Sequence, residues 1–224
     1  TTEKGGNDCR IPSGYEEVAA GIAHLNLSVF MDGQELKELL ASESGRAQAV
    51  QQIVQELSRV YDKTGGNPYE GVTIDFEGLR ASQKEAFSDF LRQLQAALQK
   101  LDKQLFVCVP PVLTSSAYYD GYDCQVIGEL ADKVILMAYG YGPQNMNGFI
   151  GTEYYKTAAT TPIASVYTAL RQAASEIQPS KLLLGFSVIN TAWKIDENGK
   201  LLSETPVYPS TETAIKRLSQ SDTK

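Results

Sequence analysis

The sequence predicts a parallel α/β fold in which strands and helices alternate along the chain. The candidate strands are short, apolar and rich in β-branched residues, as expected when both faces of a sheet are covered, and helical segments separate them. A doubly wound sheet and a TIM (β/α)8 barrel both fit this alternation. No glycine-rich nucleotide-binding fingerprint follows the first strand, and polar residues gather just after the strand ends, which favours the barrel.

The individual elements follow from apolar periodicity and from the glycines and prolines that end each segment. Strands are predicted at residues 25–31, within 69–79, and at 104–109, 134–139 and 181–187. Helices are predicted at residues 34–40, 45–64, 82–101, 122–131, 162–177 and 211–219, with a short helix or turn at 16–23. Ser82 is predicted to cap its helix in a capping box with Glu85. A small hairpin insertion near residues 190–205 is predicted to turn at Asn198 and Gly199.

Composition and charge exclude several classes of function. The chain has 224 residues, enough for one large domain, and its net charge of −7 argues against a nucleic-acid partner. No apolar run approaches the roughly 20 residues that span a bilayer. One histidine, His24, and three cysteines without metal-ligand spacing argue against a metal site. Cys108 is predicted to be a buried small hydrophobe, whereas Cys9 and Cys124 could be free or paired.

The segment at residues 69–79 carries the most informative pattern in the chain. Val72, Ile74 and Phe76 alternate with polar residues, so one face of this strand is apolar. The other face carries Asp75 and Glu77, whose Cα atoms lie roughly 6–7 Å apart. An exposed edge strand would explain the pattern without function. A strand lining a cleft would place two carboxyl groups within reach of each other, and one of them would keep its proton and serve as a general acid.

Three stretches of the sequence resemble glycoside hydrolase family 18, the chitinase-like barrels. Residues 70–77 resemble the family signature Asp-Gly-x-Asp-x-Asp-x-Glu, and residues 137–140 resemble a later strand that ends Met-x-Tyr-Asp. Residues 182–185, followed by Trp193, are similar to the seventh strand and the insertion after it. The bacterial subgroup that includes spore-cortex and peptidoglycan N-acetylglucosaminidases is the most similar in this signature strand.

The resemblance implies a retaining glycosidase that uses the N-acetyl group of its substrate as nucleophile. Glu77 would be the general acid and then the base, Asp75 would orient the acetamido group, and Tyr139 would donate its hydroxyl to the acetamido oxygen. The substrate would be a β-linked glycan containing N-acetylglucosamine, of the peptidoglycan or chitin type, and no metal or cofactor is implied. The residues expected to contact substrate are Thr73, Met137, Tyr141, Gln144, Asn145 and Trp193.

The sequence also departs from the family pattern at three positions. Glu70 and Thr73 replace the first two aspartates of the signature, and Gly140 replaces the aspartate that usually follows the tyrosine. A carbohydrate-binding protein on a chitinase-like fold, without catalysis, is therefore the second hypothesis. Aromatic residues such as Tyr118 and Tyr119 could still stack on sugars. The third hypothesis is a different α/β enzyme or scaffold in which the carboxylate strand is a coincidence.

The number of strands predicts an incomplete barrel. Five core strands are found where a closed barrel needs eight, and they correspond to the third to seventh strands of the family. We therefore expect residues 1–224 to form a single, partial catalytic barrel domain with exposed sheet edges, through which the chain would associate with another copy. A peptidoglycan or chitin substrate further implies an extracytoplasmic location, either secreted or in the cell envelope or spore.

Overall fold

The computed structural model describes residues 25–60, 66–111, 119–141, 145–153, 161–187 and 189–220. The chain divides into two compact units. The first contains Thr1–Met137 and Leu170–Leu184, and the second contains Ala138–Ala169 and Gly185–Lys224. The predicted helix at residues 16–23, together with Cys9, His24, Tyr118 and Gln144, lies outside the described residues.

A five-stranded sheet organises the first unit. Its strands are β1 (Asn26–Met31), β2 (Gly71–Phe76), β3 (Gln104–Val109), β4 (Lys133–Met137) and β5 (Leu182–Gly185). Their order in the sheet is the order in the sequence, and the pairs from β1 to β4 are parallel. A doubly wound sheet reverses its strand order at a switch point, whereas strands around a barrel follow one another. The observed order is therefore that of a barrel.

Six α-helices are found among the described residues. They are α1 (Gly33–Ala41), α2 (Glu43–Leu57), α3 (Lys84–Gln99), α4 (Cys124–Leu130), α5 (Ile163–Glu176) and α6 (Thr211–Gln220). Short 3-10 turns lie at Ala81–Gln83, Asn147–Phe149 and Pro179–Lys181. The predicted strands and helices are thus present wherever the structure describes them, with ends that differ by a few residues.

Two predicted helix ends are wrong. Helix α2 ends at Leu57 instead of continuing to residue 64. The Asn67 side-chain amide donates to the Glu56 carbonyl at 2.7 Å, which residue 60 would bond in a longer helix, and residues 59 and 60 are not helical. Ser82 is not an N-cap, because a 3-10 turn precedes α3. In that turn the Gln83 side chain accepts a hydrogen bond from the Arg80 N–H at 3.1 Å. This hydrogen bond lies two residues before the capping box that was predicted for Ser82 and Glu85.

The core of the first unit lies between the sheet and its helices. Phe76 at the end of β2 is 1% exposed, and its ring lies 5.9 Å from that of Phe87 and 5.3 Å from that of Phe90 on α3. Helices α2 and α3 are joined by an ion pair in which Arg46 Nε donates to Asp89 Oδ2 at 2.8 Å. The amphipathic pattern of α3 thus packs its apolar stripe on the apolar face of β2.

The predicted hairpin is present in the second unit. Antiparallel bridges join Ile195 to Leu201 and Ala192 to Val207, and the chain turns between Asp196 and Lys200. The Asp196 side chain accepts from the N–H groups of Asn198 and Lys200 at 2.9 and 2.8 Å, which closes the turn. The turn therefore lies where the sequence pair Asn198 and Gly199 predicts it.

Candidate active site

The two faces of strand β2 are separated as its alternating sequence predicts. Val72, Ile74 and Phe76 are at most 1% exposed, whereas Asp75 is only partly buried. The ladder continues one residue beyond the strand, because the Glu77 N–H donates to the Met31 carbonyl at 2.9 Å. Asp75 and Glu77 therefore follow one another on a single face, at the carboxyl end of a strand that is paired on both sides.

The Asp75 carboxyl group has one donor and one unsatisfied oxygen. The Cys108 thiol on β3 hydrogen-bonds to it. Its Oδ1 atom is buried and finds no hydrogen-bond partner within the part of the chain that the structure describes. Burial raises the pKa of Asp75, and the thiol hydrogen bond opposes this rise. A carboxyl oxygen of this kind is free to accept a hydrogen bond from a bound ligand.

The Glu77 carboxyl group has a raised pKa, with three causes. Burial raises its pKa, and the negative charges of Asp75 and then Asp32 raise it further. Each of these effects disfavours the charged form, so Glu77 keeps its proton at a higher pH than an ordinary glutamic acid. The geometry therefore supplies a proton donor at the edge of the sheet, beside a second carboxyl group.

Thr73 continues the polar face inward from Asp75. Its Oγ1 accepts a hydrogen bond from Asn26 Nδ2 on β1 at 3.4 Å. Asn26 Oδ1 is buried and without a partner among the described residues. A neutral hydroxyl–amide pair thus lies where the family signature has its second aspartate.

A buried tyrosine fixes the segment that carries Glu77. Tyr122 is 5% exposed, and its hydroxyl donates to the Phe76 carbonyl at 2.7 Å and hydrogen-bonds the backbone of Leu79. Gly121 permits this approach, since a Cβ there would lie 2.5 Å from the carbonyl carbon of Leu79. The backbone on both sides of Glu77 is therefore held from the loop before α4.

The other predicted site residues are distributed over both units. Met137 is the last residue of β4 and is 8% exposed. It lies on the same face of the sheet as Cys108, because Cys108 pairs with Ile135, two residues before Met137. Tyr139 in the second unit is 37% exposed and is engaged in an interaction. Burial raises the pKa of the Tyr141 hydroxyl, which has no partner among the described residues.

Two further residues predicted to contact substrate, Trp193 and Asn145, lie in the second unit. Trp193 is partly buried directly after the Ala192 bridge of the hairpin. Asn145 Oδ1 accepts from the Asn147 N–H at 2.9 Å, which closes a local turn. That carbonyl oxygen is therefore already in use within the second unit.

Sequence reasoning missed the residues that surround the two carboxyl groups. Cys108 is buried, as predicted, but it also donates to Asp75, and Asp32 and Tyr122 were not singled out. Only the pairing of neighbouring strands could have revealed Cys108 and Asp32, since neither carries a motif. Among the described residues no group of three or more His, Cys, Asp or Glu side chains could hold a metal ion. No helix in the described segments is long and apolar enough to cross a membrane.

The chain is similar in sequence to curated bacterial proteins over part of their length. The chain is 27% identical over 140 residues to the Bacillus subtilis protein YdhD, over 62% of this chain and 31% of YdhD. It is 23% identical over 165 residues to the cortical fragment-lytic enzyme of Bacillus subtilis, over 70% of this chain and 33% of that enzyme. The chain therefore spans about a third of the length of these curated relatives.

Solved structures show the fold. The crystal structure of YdhD superposes with a TM-score of 0.71 and 22% identity, over 96% of this chain and 68% of that one. A chitinase from Chromobacterium violaceum gives a TM-score of 0.70 and 20% identity, over 95% and 63% of the two chains. The predicted α/β barrel is thereby confirmed, and the described residues supply five of its strands in order. The family model described as "Glycosyl hydrolases family 18" matches residues 26–221, and this chain belongs to that family.

Proposed function

We propose that this protein hydrolyses β-linked glycans containing N-acetylglucosamine, of the peptidoglycan or chitin type, by a retaining, substrate-assisted mechanism. The observation that carries the proposal is the pair Asp75 and Glu77 on one face of β2, both with a raised pKa. A general acid must hold its proton near the working pH, and burial together with neighbouring negative charge provides this for Glu77.

The reaction assigns different tasks to the two carboxyl groups. Glu77 donates its proton to the glycosidic oxygen as the bond from that oxygen to the anomeric carbon breaks. The acetamido oxygen of the substrate attacks the same carbon and forms a cyclic oxazolinium. Asp75 accepts a hydrogen bond from the acetamido N–H through its unsatisfied Oδ1 and stabilises the positive charge. Glu77 then takes a proton from water, which opens the ring with net retention.

Residues outside β2 complete this assignment. Tyr139 donates its hydroxyl to the acetamido oxygen, as the resemblance implies, and needs its proton to do so. Thr73, Met137, Tyr141, Gln144, Asn145 and Trp193 are the proposed sugar contacts. The polar and aromatic side chains among them can bind pyranose rings by hydrogen bonding and stacking, and Met137 would supply an apolar contact.

The names of the relatives support a cell-wall substrate. One relative is named a cortical fragment-lytic enzyme and one structural neighbour is named a chitinase, and a peptidoglycan or chitin substrate implies work outside the cytoplasm. We therefore place the protein outside the cytoplasm, in the envelope, in the spore or secreted. The activity, substrate and location of the whole protein are part of this proposal.

A second function is favoured by two specific positions. Gly140 has a φ of 72°, a conformation that favours glycine, so an aspartate at this position would be strained. Thr73 provides no charge beneath Asp75 and instead accepts from Asn26. A protein that binds N-acetylglucosamine polymers without cleaving them would tolerate both changes.

Product analysis by mass spectrometry tests the proposal. The protein is incubated with N-acetylglucosamine oligomers, with glucose oligomers that lack the acetamido group, and with purified peptidoglycan. We expect cleavage of the acetamido-bearing glycans only, with the β-anomer as first product by NMR. Glu77→Gln should reduce turnover by a factor of about 10² to 10⁴, the usual contribution of a general acid.

The matched control is Glu85→Gln, which removes one charge from an exposed position in the first turn of α3. It should cleave like the parent protein. Binding of the oligomers without products, measured by calorimetry, would establish the carbohydrate-binding function instead. The absence of both binding and cleavage would reject the hydrolase and the carbohydrate-binding function.

A further inference from the structure

Cys108 lies beside Asp75 in the centre of the sheet. Ile74 of β2 pairs with Val107 of β3, so the next residues along the two strands, Asp75 and Cys108, are neighbours on the same face. Cys108 is 7% exposed and is not in a disulfide. Its thiol hydrogen-bonds to the Asp75 carboxyl group.

No second carboxyl group lies beneath Asp75 on its own strand. Thr73 stands at the signature position beneath Asp75, and its hydroxyl accepts from Asn26. Among the described residues, Cys108 is the side chain that donates to Asp75, while Oδ1 of Asp75 is left without a partner. One carboxyl oxygen is thus held by the protein and the other remains open.

We propose that Cys108 is a positioning residue, whose thiol fixes the orientation of the Asp75 carboxylate so that Oδ1 faces the acetamido N–H of the substrate. This inference rests on the proposed function and deepens it. Cys108 touches neither the reacting carbon nor the leaving oxygen, and it acts only through Asp75. A thiol is a weak donor, so its contribution is mainly geometric.

The thiol keeps its proton at any pH at which such an enzyme works. Burial raises the pKa of Cys108 to about 12, and the charges of Asp75 and Glu77 contribute to the rise. The group is therefore a hydrogen-bond donor and not a thiolate nucleophile. Among the described residues, the titratable groups that interact electrostatically with Asp75 include this thiol on β3, Glu77 at the end of β2 and the Tyr122 hydroxyl before α4.

Three variants separate a hydrogen bond from packing. Cys108→Ala removes the donor, Cys108→Ser restores one, and Cys124→Ala is the matched control, because Cys124 is also a free cysteine but lies at the start of α4. We expect Cys108→Ala to lower kcat about three- to tenfold with a smaller change in KM, the scale of one hydrogen bond. Cys108→Ser should recover most of the loss, and Cys124→Ala should show none.

Titration of the Asp75 carboxyl carbon by ¹³C NMR provides a readout that needs no activity. The hydrogen bond stabilises the charged form of Asp75, so its loss in Cys108→Ala should move the midpoint to higher pH, and Cys108→Ser should move it back. The resonance is assigned by its absence in Asp75→Asn. The acid limb of the pH–activity profile should move in the same direction.

The outcomes distinguish this inference from the proposed function. An unchanged Asp75 titration in Cys108→Ala would overturn the inference whether or not the protein is active. A loss of kcat that Cys108→Ser fails to restore, with no change in titration, would mean packing only and would also overturn it. If the protein binds N-acetylglucosamine oligomers but cleaves none, the proposed hydrolase function is rejected. A weaker affinity in Cys108→Ala that Cys108→Ser restores would then still support the positioning role.

Discussion

The two faces of strand β2 differ in how completely their atoms are packed and hydrogen-bonded. On one face Val72, Ile74 and Phe76 are almost fully buried, and aromatic rings of α3 cover the last of them. On the other face Asp75 has a buried oxygen without a partner among the described residues, and Glu77 lies beside two further negative charges. Both faces are encoded in six consecutive residues.

The difference indicates which face stabilises the fold and which serves the site. Apolar burial on the first face contributes to stability in proportion to the area removed from water. Partly buried carboxyl groups without full hydrogen bonding reduce stability, and such groups persist where function needs them. Truncating an apolar residue of β2 should therefore lower stability, whereas neutralising Asp75 should raise it, and the following predictions test that contrast.

The largest effect on stability is expected at Phe76. Phe76→Ala removes a fully buried ring that contacts Phe87 and Phe90, and it should lower the free energy of unfolding by about 3–5 kcal/mol. Phe30 is the matched control, because it is 50% exposed and pairs with Asp75. It therefore lies on the same face of the sheet as Asp75, opposite to Phe76. Phe30→Ala should cost less than about 1 kcal/mol.

Urea denaturation of both variants measures this contrast. If Phe76→Ala does not fold, Phe76→Leu should show a smaller loss of the same sign, since it keeps part of the apolar contact. Equal losses at Phe76 and Phe30 would contradict the division of the strand into a packed face and a functional face.

Much of this division could be predicted from the sequence because both faces follow from one local rule. Successive side chains of a strand point to opposite sides, so the alternation around Asp75 fixed the faces without any knowledge of the fold. The stripe of α3 and the turn at residues 198 and 199 were predictable for the same reason. Each depends on residues within a few positions of one another.

The surroundings of the carboxyl groups could not be predicted in this way. Cys108 reaches Asp75 from 33 positions further along the sequence, and Asp32 lies beside Glu77 only because β1 and β2 pair in one register. Register between parallel strands depends on how the helices that join them pack, and no single motif encodes it. The end of α2 was missed because apolar residues at helical spacing continue past Ser58, where the chain leaves the helix.

The second prediction concerns Asp75 and should have the opposite sign to the first. The folded protein holds the pKa of Asp75 above its ordinary value of 3.8. Ionisation therefore weakens folding as the pH rises from 3.8 to the raised value, and the penalty is constant above it. Asp75→Asn keeps the shape without the charge, so it should be more stable than the parent at about pH 7 and equal to it at about pH 3.

Urea midpoints at these two pH values measure the effect. Glu38→Gln is the control, because it removes a carboxylate from an exposed position on α1 and should change stability by less than about 0.5 kcal/mol at either pH. A loss of stability in Asp75→Asn at neutral pH would mean that the charged carboxyl group is well satisfied in the folded state.

The smallest effect is expected at Asp32, which acts on the acid from the neighbouring strand. Met31 pairs with Phe76, and the Glu77 N–H donates to the Met31 carbonyl, so Asp32 and Glu77 come next on the two strands. The Asp32 side chain makes no capping hydrogen bond to α1, and its charge contributes to the raised pKa of Glu77 after burial and Asp75. Asp32→Asn should therefore lower the pKa of Glu77.

In the pH–activity profile, a lower pKa of Glu77 moves the basic limb to lower pH, because the acid loses its proton earlier. The rate on the acidic side should be unchanged. Since Asp32 is exposed, salt screens its charge, and raising the ionic strength should move the limb of the parent towards that of Asp32→Asn. Glu35→Gln removes an equal charge from the first turn of α1 and should leave the limb in place. Equal shifts in both variants would mean that net charge, and not the register of β1 with β2, sets the proton affinity of Glu77.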